Sequence, residues 1–167
     1  MLIGLTGKKY SGKDTLADFL VENKNYIKYS LATPLKKCLT ELFGFNEEQI
    51  NGKLKEVIDE RWGVTPRQVM QFFGTQVMQF KMQELIPDIE RNFFVKRLKD
   101  FYELNKNKNI VIADVRFQHE IDFIKENDGI IIRINRDMDT HHGNNHISEK
   151  GIDNLQNIDF ILNNNGN

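Results

Sequence analysis

The chain has 167 residues, of which 40% are hydrophobic, and a formal net charge of −1. This suits one domain with a hydrophobic core, and it predicts no stable binding to nucleic acid or to an anionic membrane. The sequence has no signal peptide and no apolar run long enough to cross a bilayer, and its single cysteine, Cys38, excludes an internal disulfide, so we expect a cytoplasmic protein.

The first strand and helix flank the most informative segment. An apolar run predicts a strand over Leu2–Thr6, and a helical pattern starts at Lys13 and runs to about Glu22. A glycine-bounded loop between a strand and a helix wraps a nucleotide triphosphate, with Lys13 reaching its β- and γ-phosphates. The alternative, a glycine-rich turn with a surface lysine, fits these flanking elements poorly. The predicted triphosphate-binding residues are Gly7, Lys8, Ser11, Gly12, Lys13, Asp14 and Thr15.

Asp14 stands where Ser or Thr commonly supplies a hydroxyl to magnesium, and Thr15 follows one place later. A carboxylate there would repel phosphate unless a cation stood between them. We therefore expect Asp14 to face Mg²⁺, directly or through water, or to face a nearby basic side chain. The simpler alternative is that Asp14 only favours the helix N-terminus. The Lys-x-Thr order is also that of adenylate kinase-like small-molecule kinases and argues against the signalling GTPases.

The pattern from the second strand to the third is almost entirely helical. A short second strand is predicted over Tyr26–Ser30. Helices are then predicted from Pro34 to about Phe43, over residues 46–58, from Thr65-Pro66 to about Met82, and after Pro87 to about Leu104. So long a helical stretch indicates a substrate-binding insertion rather than a simple crossover.

One predicted helix of the insertion carries polar groups suited to a nucleotide. Arg67, Gln71 and Thr75 lie at i, i+4 and i+8, so a guanidinium, an amide and a hydroxyl share one face and can bind a phosphate and a base edge. Trp62, just upstream, can stack on a base. The alternatives are a solvated polar face and a tryptophan packed in the core. The buried face of the helix is predicted from Val69, Phe72, Phe73 and Val77.

A second group of candidate catalytic residues follows the third predicted strand. Ile110–Ala113 reads as a buried strand, and Asp114 follows it directly. An acid at this place orients magnesium or its water shell, and Arg116 two residues later can clamp a phosphate. The alternative is a helix-capping aspartate with a surface arginine. A phosphate loop at the same edge of the sheet favours the catalytic interpretation.

The remaining residues predict a helix and two further strands. The helix runs from about Gln118 to Asn127, and the strands cover Ile130–Ile134 and Ile158–Leu162. Residues 136–149 predict a loop, for which we favour a mobile lid over the phosphates; its histidines match no strong zinc-ligand spacing. Strands alternating with helices predict an α/β fold with a parallel five-stranded sheet and helices on both faces, and ligands at the carboxyl ends of the strands.

Together these segments resemble the phage- and virus-type deoxynucleoside monophosphate kinases over nearly the whole chain. The resemblance implies a single P-loop kinase domain: a core of about residues 1–30, 108–135 and 155–167, a helical monophosphate-binding insertion over about 31–107, and a lid over about 136–150. The matching segments are Gly7–Thr15, Ser30–Lys36, Thr65–Gln71 with Gly74-Thr75, Asp114–Phe117 with Glu120, and His146–Glu149.

The resemblance implies transfer of the γ-phosphoryl group of ATP to a deoxynucleoside monophosphate, with Mg²⁺ as cofactor, in the host cytoplasm if the protein is viral. Both partners are small molecules, and a homodimer stays open. Lys13, Asp114 and Arg116 would be catalytic, and Asp14, Thr15 and Asp114 would hold the metal, directly or through water. Arg133 and Arg136 would join the ATP site at the base of the lid. The implied monophosphate site consists of Lys36, Trp62, Arg67, Gln71 and Thr75.

Three alternatives stay open. Phosphomevalonate kinase of the animal type shares the Ser-Gly-Lys-Asp loop and a segment like Ser148–Asn154, although Asp114–Phe117 looks more like a nucleotide kinase. Dephospho-coenzyme A kinase shares the opening Ile3–Gly7 but not Lys-Asp-Thr. A regulatory domain that binds ATP without turning over any monophosphate is the non-enzymatic alternative.

Overall fold

The computed structural model describes residues 1–136 and 151–165. The chain divides into two compact units, Met1–Leu31 with Val95–Asn167, and Ala32–Phe94. A π-helix covers Phe72–Lys81, and 3₁₀ turns cover Lys53–Glu56, Pro87–Ile89 and Ile152–Asn154. In chain order the other elements are β1 (Leu2–Thr6), α1 (Lys13–Lys24), β2 (Tyr26–Tyr29), α2 (Thr33–Phe43), α3 (Glu47–Ile50), α4 (Pro66–Gln71), α5 (Met82–Leu85), α6 (Phe93–Leu104), β3 (Asn109–Val115), α7 (Gln118–Glu126), β4 (Ile130–Asn135) and β5 (Phe160–Asn163).

The first unit is built on a parallel sheet with the strand order β2-β3-β1-β4-β5. All five residues of β1 are buried, as expected for a strand with neighbours on both sides and helices on both faces. The chain leaves β1 through α1 toward β2 on one side, whereas β4 lies on the other side. The carboxyl end of β1 is therefore the point where the strand order reverses, which is where open α/β sheets bind ligands.

Helices cover both faces of this sheet. On one face, Ile3 and Leu5 of β1 form a buried cluster with Ala17 of α1 and with Val111 and Ala113. On the other face, a Cβ added at Gly4 would lie 2.7 Å from Ile124 Cδ1 of α7, so the Ile124 side chain packs directly on this glycine. The predicted α/β fold, with five parallel strands and helices on both faces, is confirmed.

The second unit is helical, and it departs from the predicted pattern within one helix. As predicted, the helix begins at Thr65, whose hydroxyl accepts from the Gln68 N–H. The expected α-helix stops at Gln71, however, and continues as the π-helix. Because a π-helix has more residues per turn than an α-helix, residues three and four positions apart no longer lie on the same face of the helix. Phe72, predicted to be buried, is the first residue of the π-helix and is 49% exposed.

Residues 46–58 are less helical than predicted. They contain α3 and the turn Lys53–Glu56, with non-helical residues between and after them. The Asn46 side chain caps α3 by accepting from the Gln49 N–H at 3.0 Å. Among the described residues, no helix combines the length and the apolar character needed to cross a membrane.

Truncating the Leu98 side chain should test the packing of the first unit. Leu98 and Leu104 lie on the same helix, but Leu98 is 0% exposed and Leu104 is 85% exposed. We expect Leu98→Ala to lower the free energy of unfolding by about 2–5 kcal/mol, because it leaves a cavity. Leu104→Ala should change it by less than about 0.5 kcal/mol. Urea unfolding of both variants measures this, and equal losses would contradict the burial of Leu98.

Candidate functional site

The loop between β1 and α1 encloses the Lys13 ammonium. The side chain is buried, and its Nζ donates to the carbonyl oxygens of Gly7 at 2.6 Å and Lys8 at 2.7 Å. A buried ammonium is costly unless it is hydrogen-bonded, and the loop carbonyls provide these bonds. The loop therefore fixes the position of the Lys13 ammonium at the carboxyl end of β1.

Two glycines give this loop its shape. Gly7 and Gly12 have φ of 146° and 104°, a region that side chains with a Cβ rarely adopt. A Cβ at Gly7 would also collide with the carbonyl oxygen of Ile134 in β4. The N-terminus of α1 has no side-chain cap. Its first-turn N–H groups and its dipole thus suit an anion.

Asp14 faces a basic side chain in this structure. It is 81% exposed, and its Oδ1 lies 3.0 Å from Lys28 Nζ of β2, which also binds Asp18 at 2.9 Å. Burial lowers the pKa of Lys28, but the hydrogen bonds to Asp18 and Asp14 outweigh it, so the pKa is raised overall. This contact is one of the two environments predicted for Asp14. Thr15, the next residue, is exposed.

Asp114 ties the end of β3 to the end of β2. Its Oδ2 accepts from the Ser30 hydroxyl at 2.7 Å, and its Oδ1 accepts from the Leu31 N–H at 2.8 Å. These two bonds fix the orientation of the carboxylate. The sequence placed Ser30 in a matching segment but predicted no contact for it, because a pairing across 84 positions leaves no local signal.

The oxygen groups at this edge of the sheet fit Mg²⁺. The carboxylates of Asp14 and Asp114 and the hydroxyl of Thr15 are the hard oxygen donors that this ion binds. Within residues 1–136 and 151–165, no group of three or more His, Cys, Asp or Glu could hold a metal by itself.

Arg133 supports the turn that follows the predicted lid. Its Nη2 donates to the carbonyl oxygens of Ile152 and Leu155, both at 3.0 Å. Arg136 directly follows β4 and is exposed. Lys8 of the loop pairs with Asp153 of the same turn at 2.8 Å, and both side chains are 63% exposed. The predicted lid beyond Arg136, with His141, His142 and His146, lies outside the described residues.

A cavity of about 350 Å³ opens in the first unit beside the start of α7. Arg116 lines it, so the residue predicted to clamp a phosphate borders an accessible space. The cavity is open to solvent. The other lining residues are Phe117, Gln118, Gly151, Asn154, Leu155 and Gln156.

In the second unit, the polar residues of one predicted face have different environments. Arg67 pairs through Nε with Glu56 Oε1 at 2.5 Å, and its side chain is 21% exposed. Gln71 is half-buried, whereas Thr75 lies in the π-helix and is buried. The change from α to π geometry after Gln71 breaks the i, i+4, i+8 alignment that the sequence predicted.

The side chains of Trp62 and Lys36 each form a hydrogen bond within this unit. The Trp62 side chain is 48% exposed, and its Nε1 donates to the carbonyl of Phe43 at 3.0 Å. Its ring meets the Phe43 ring edge-on at 5.1 Å, so one surface packs while the other faces solvent. Lys36 Nζ donates to Asn51 Oδ1 at 2.9 Å.

Comparison with known proteins identifies the family. The family model described as deoxynucleotide monophosphate kinase matches residues 1–56 and 41–167, which together span the chain. The chain belongs to the deoxynucleotide monophosphate kinase family. A putative deoxynucleotide monophosphate kinase of Acanthamoeba polyphaga mimivirus is 40% identical over 172 residues, 99% of this chain and 89% of that protein.

Two further matches concern a short segment of the chain and its fold. The deoxynucleotide monophosphate kinase of Enterobacteria phage T4 is 51% identical over 43 residues, 26% of this chain and 18% of that protein. A dephospho-CoA kinase from Campylobacter jejuni superposes with a TM-score of 0.51 at 18% identity, covering 99% of this chain and 89% of that one. The latter is a likeness of fold alone. The resemblance inferred from the sequence and the assignment as a kinase are confirmed.

Glu120 is a buried residue that the sequence analysis of this kinase did not assign to the site. It is 3% exposed, and its Oε2 accepts from the N–H groups of Arg116 at 2.6 Å and Phe117 at 3.0 Å. It therefore fixes the backbone that carries Arg116. A glutamate at the third position of a predicted helix is the signal that would have identified this role. Burial raises the pKa of Glu120 to about 7, against the lowering effect of the two N–H groups, while Asp114 raises it further.

The raised pKa predicts a pH-dependent stability. Between the ordinary pKa of 4.5 and about 7, the folded state binds more protons at Glu120 than the unfolded state, so stability falls as pH rises. Glu120→Gln keeps an oxygen acceptor for both N–H groups but does not titrate. Its free energy of unfolding relative to wild type should rise across this window by up to about 3 kcal/mol. Denaturant unfolding at pH 4.5 and pH 7.5 measures the difference.

Glu126→Gln is the matched control, because Glu126 is an exposed glutamate on the same helix. Its stability relative to wild type should change by less than about 0.5 kcal/mol across the same window. If Glu120→Gln behaved like this control, the buried carboxylate would not titrate in the proposed range.

Proposed function

We propose that this family member transfers the γ-phosphoryl group of ATP to the 5′-phosphate of a deoxynucleoside monophosphate, in line and with Mg²⁺. The observation that carries the proposal is the buried Lys13 ammonium, held by its own loop at the carboxyl end of β1. The names of the mimivirus and T4 relatives support the acceptor class. The reaction would take place in the cytoplasm, which for a viral enzyme is that of the host.

The chemistry needs charge neutralisation and positioning more than proton transfer. The attacking atom is a phosphate oxygen that is already deprotonated at neutral pH, so we assign no general base. Lys13 would contact the transferring group, and Arg116 would bind a phosphate from the cavity beside α7. Asp114 and Asp14 would hold Mg²⁺ directly or through water. When bound, that ion neutralises charge on the β- and γ-phosphate oxygens.

The remaining groups of the first unit would bind and enclose ATP. The N–H groups of residues 7–15 would surround the phosphates, with the Lys8 side chain exchanging its exposed pairing with Asp153 for a phosphate. Arg136, exposed at the end of β4, would reach the triphosphate. Arg133 would contribute by fixing the turn after the lid, since its Nη2 already binds two carbonyls there. We propose that the segment of about residues 136–150 forms the lid that excludes water.

The second unit would bind the monophosphate. Arg67 would hold its phosphate, with Lys36 as a second cation. Trp62 offers a partly exposed ring on which a base can stack, and its indole N–H is already satisfied by the Phe43 carbonyl. The Gln71 amide has a donor and an acceptor for a base edge. Thr75 is buried. Its hydroxyl would therefore either position the helix or contact the sugar of the monophosphate.

An ADP-release assay over several acceptors tests the proposal. We expect turnover on at least one of the four deoxynucleoside monophosphates and none on phosphomevalonate or dephospho-coenzyme A. Lys13→Ala should lower kcat by at least about a hundredfold, because a charge contact to the transferring group is lost. Lys24→Ala, at the exposed end of the same helix, should keep it. Activity confined to another acceptor, or ATP binding with no turnover on any acceptor, would refute the proposed reaction.

Arg67→Ala separates the two substrates. We expect KM for the monophosphate to rise about ten- to a hundredfold, because a charge-assisted bond to phosphate is lost. The Kd for ATP should stay within about twofold. Arg97→Ala removes an arginine that forms an exposed pair with Asp100 at 3.0 Å, and it should change neither value. A loss of ATP affinity without a change in the monophosphate KM would show that Arg67 is misassigned.

A further inference from the structure

Asn164 connects the end of β5 to the phosphate-binding loop. Its backbone N–H donates to the carbonyl of Asn135 at 2.7 Å, which extends the pairing of β4 with β5 by one residue. Its side-chain Nδ2 donates to the carbonyl of Ser11 at 2.9 Å. Because a carbonyl oxygen only accepts, this contact also determines which end of the amide faces the loop. The loop is thus bonded to a residue 153 positions away.

The amide of Asn164 also packs directly on Gly12. A Cβ built at Gly12 would lie 2.5 Å from Asn164 Nδ2, so the side chain fits there only because residue 12 is glycine. Ser11 itself is buried, at 2% exposure. The contact therefore lies in a partly buried place, where a hydrogen bond is screened less by water than it would be on the surface.

The bond fixes the direction of one peptide group in the loop. The described residues contain no cis peptide bond, so the carbonyl of Ser11 and the N–H of Gly12 point in opposite directions. Holding the carbonyl toward Asn164 turns the N–H away from it. Glycine tolerates both signs of φ, so the backbone on the Gly12 side of this peptide resists rotation less than that of other residues. An external bond is therefore an effective way to prevent the peptide from rotating.

We propose that Asn164 is a positioning residue for ATP: it keeps the Ser11 carbonyl away from the triphosphate and so keeps the Gly12 N–H available to it. This rests on the proposed binding of ATP at residues 7–15. Without the bond, the peptide could turn its carbonyl oxygen toward the phosphates, where it would repel them. Among the described contacts of the loop, the ion pair of Lys8 with Asp153 is exposed and therefore weaker.

The test is calorimetric binding of Mg-ATP in the absence of any monophosphate. We expect Asn164→Ala to raise the Kd about three- to tenfold, because one hydrogen bond is lost. Asn164→Asp has nearly the same shape, but it places an acceptor against the Ser11 carbonyl and should raise the Kd further. The KM for the monophosphate should stay within about twofold for both variants. A Kd that increases from wild type to Asn164→Ala to Asn164→Asp indicates a role for the hydrogen bond. If Asn164 only filled space, the Kd of Asn164→Asp would resemble that of wild type.

Asn163→Ala is the control, since Asn163 is the neighbouring exposed amide in β5 and should leave the Kd within about twofold. Melting temperatures without ATP show whether each variant is folded. An unchanged ATP Kd in folded Asn164→Ala, or a wild-type Kd in Asn164→Asp, would overturn the proposal. Because no acceptor is present, a failure of the proposed kinase reaction would appear separately in the ADP-release assay.

Discussion

The buried ammonium of Lys13 constrains the structure of the loop around it. It needs hydrogen-bond acceptors, and the carbonyls of Gly7 and Lys8 provide two of them. A loop that turns its carbonyls toward one point must pass through positive φ at Gly7 and Gly12. It must also pass close to β4, where no Cβ fits at Gly7. Because β4 lies beside β1, residue 7 must be a glycine.

Carboxylates give the neighbouring end of β3 its rigidity. Asp114 binds the end of β2 through Ser30 and Leu31, and Glu120 binds the two peptide groups that follow β3. The first carboxylate lies between strands, whereas the second lies within the turn from β3 into α7. Together they fix the residues on both sides of Arg116 before any ligand binds. Such preorganisation suits phosphoryl transfer, in which the protein supplies position and charge.

The second unit departs from regular geometry where its polar residues lie. The π-helix begins directly after Gln71, and within it Phe72 is exposed whereas Thr75 is buried. π-helical segments often occur at functional sites, because they place side chains where an α-helix would not. An aromatic cluster of Phe43, Phe73 and Trp62 supports this region and leaves part of the indole exposed.

The sequence by itself determined the features that depend on local pattern. Apolar runs located the five strands, Thr65 and Pro66 marked a helix start, and the glycine spacing located the loop around Lys13. Local periodicity could not distinguish an α-turn from a π-turn after Gln71, because packing decides between them. Only the tertiary structure paired Asp114 with Ser30, and Asn164 with Ser11. Those contacts join residues 84 and 153 positions apart, which come together only when the strands pair, so no short-range pattern records them.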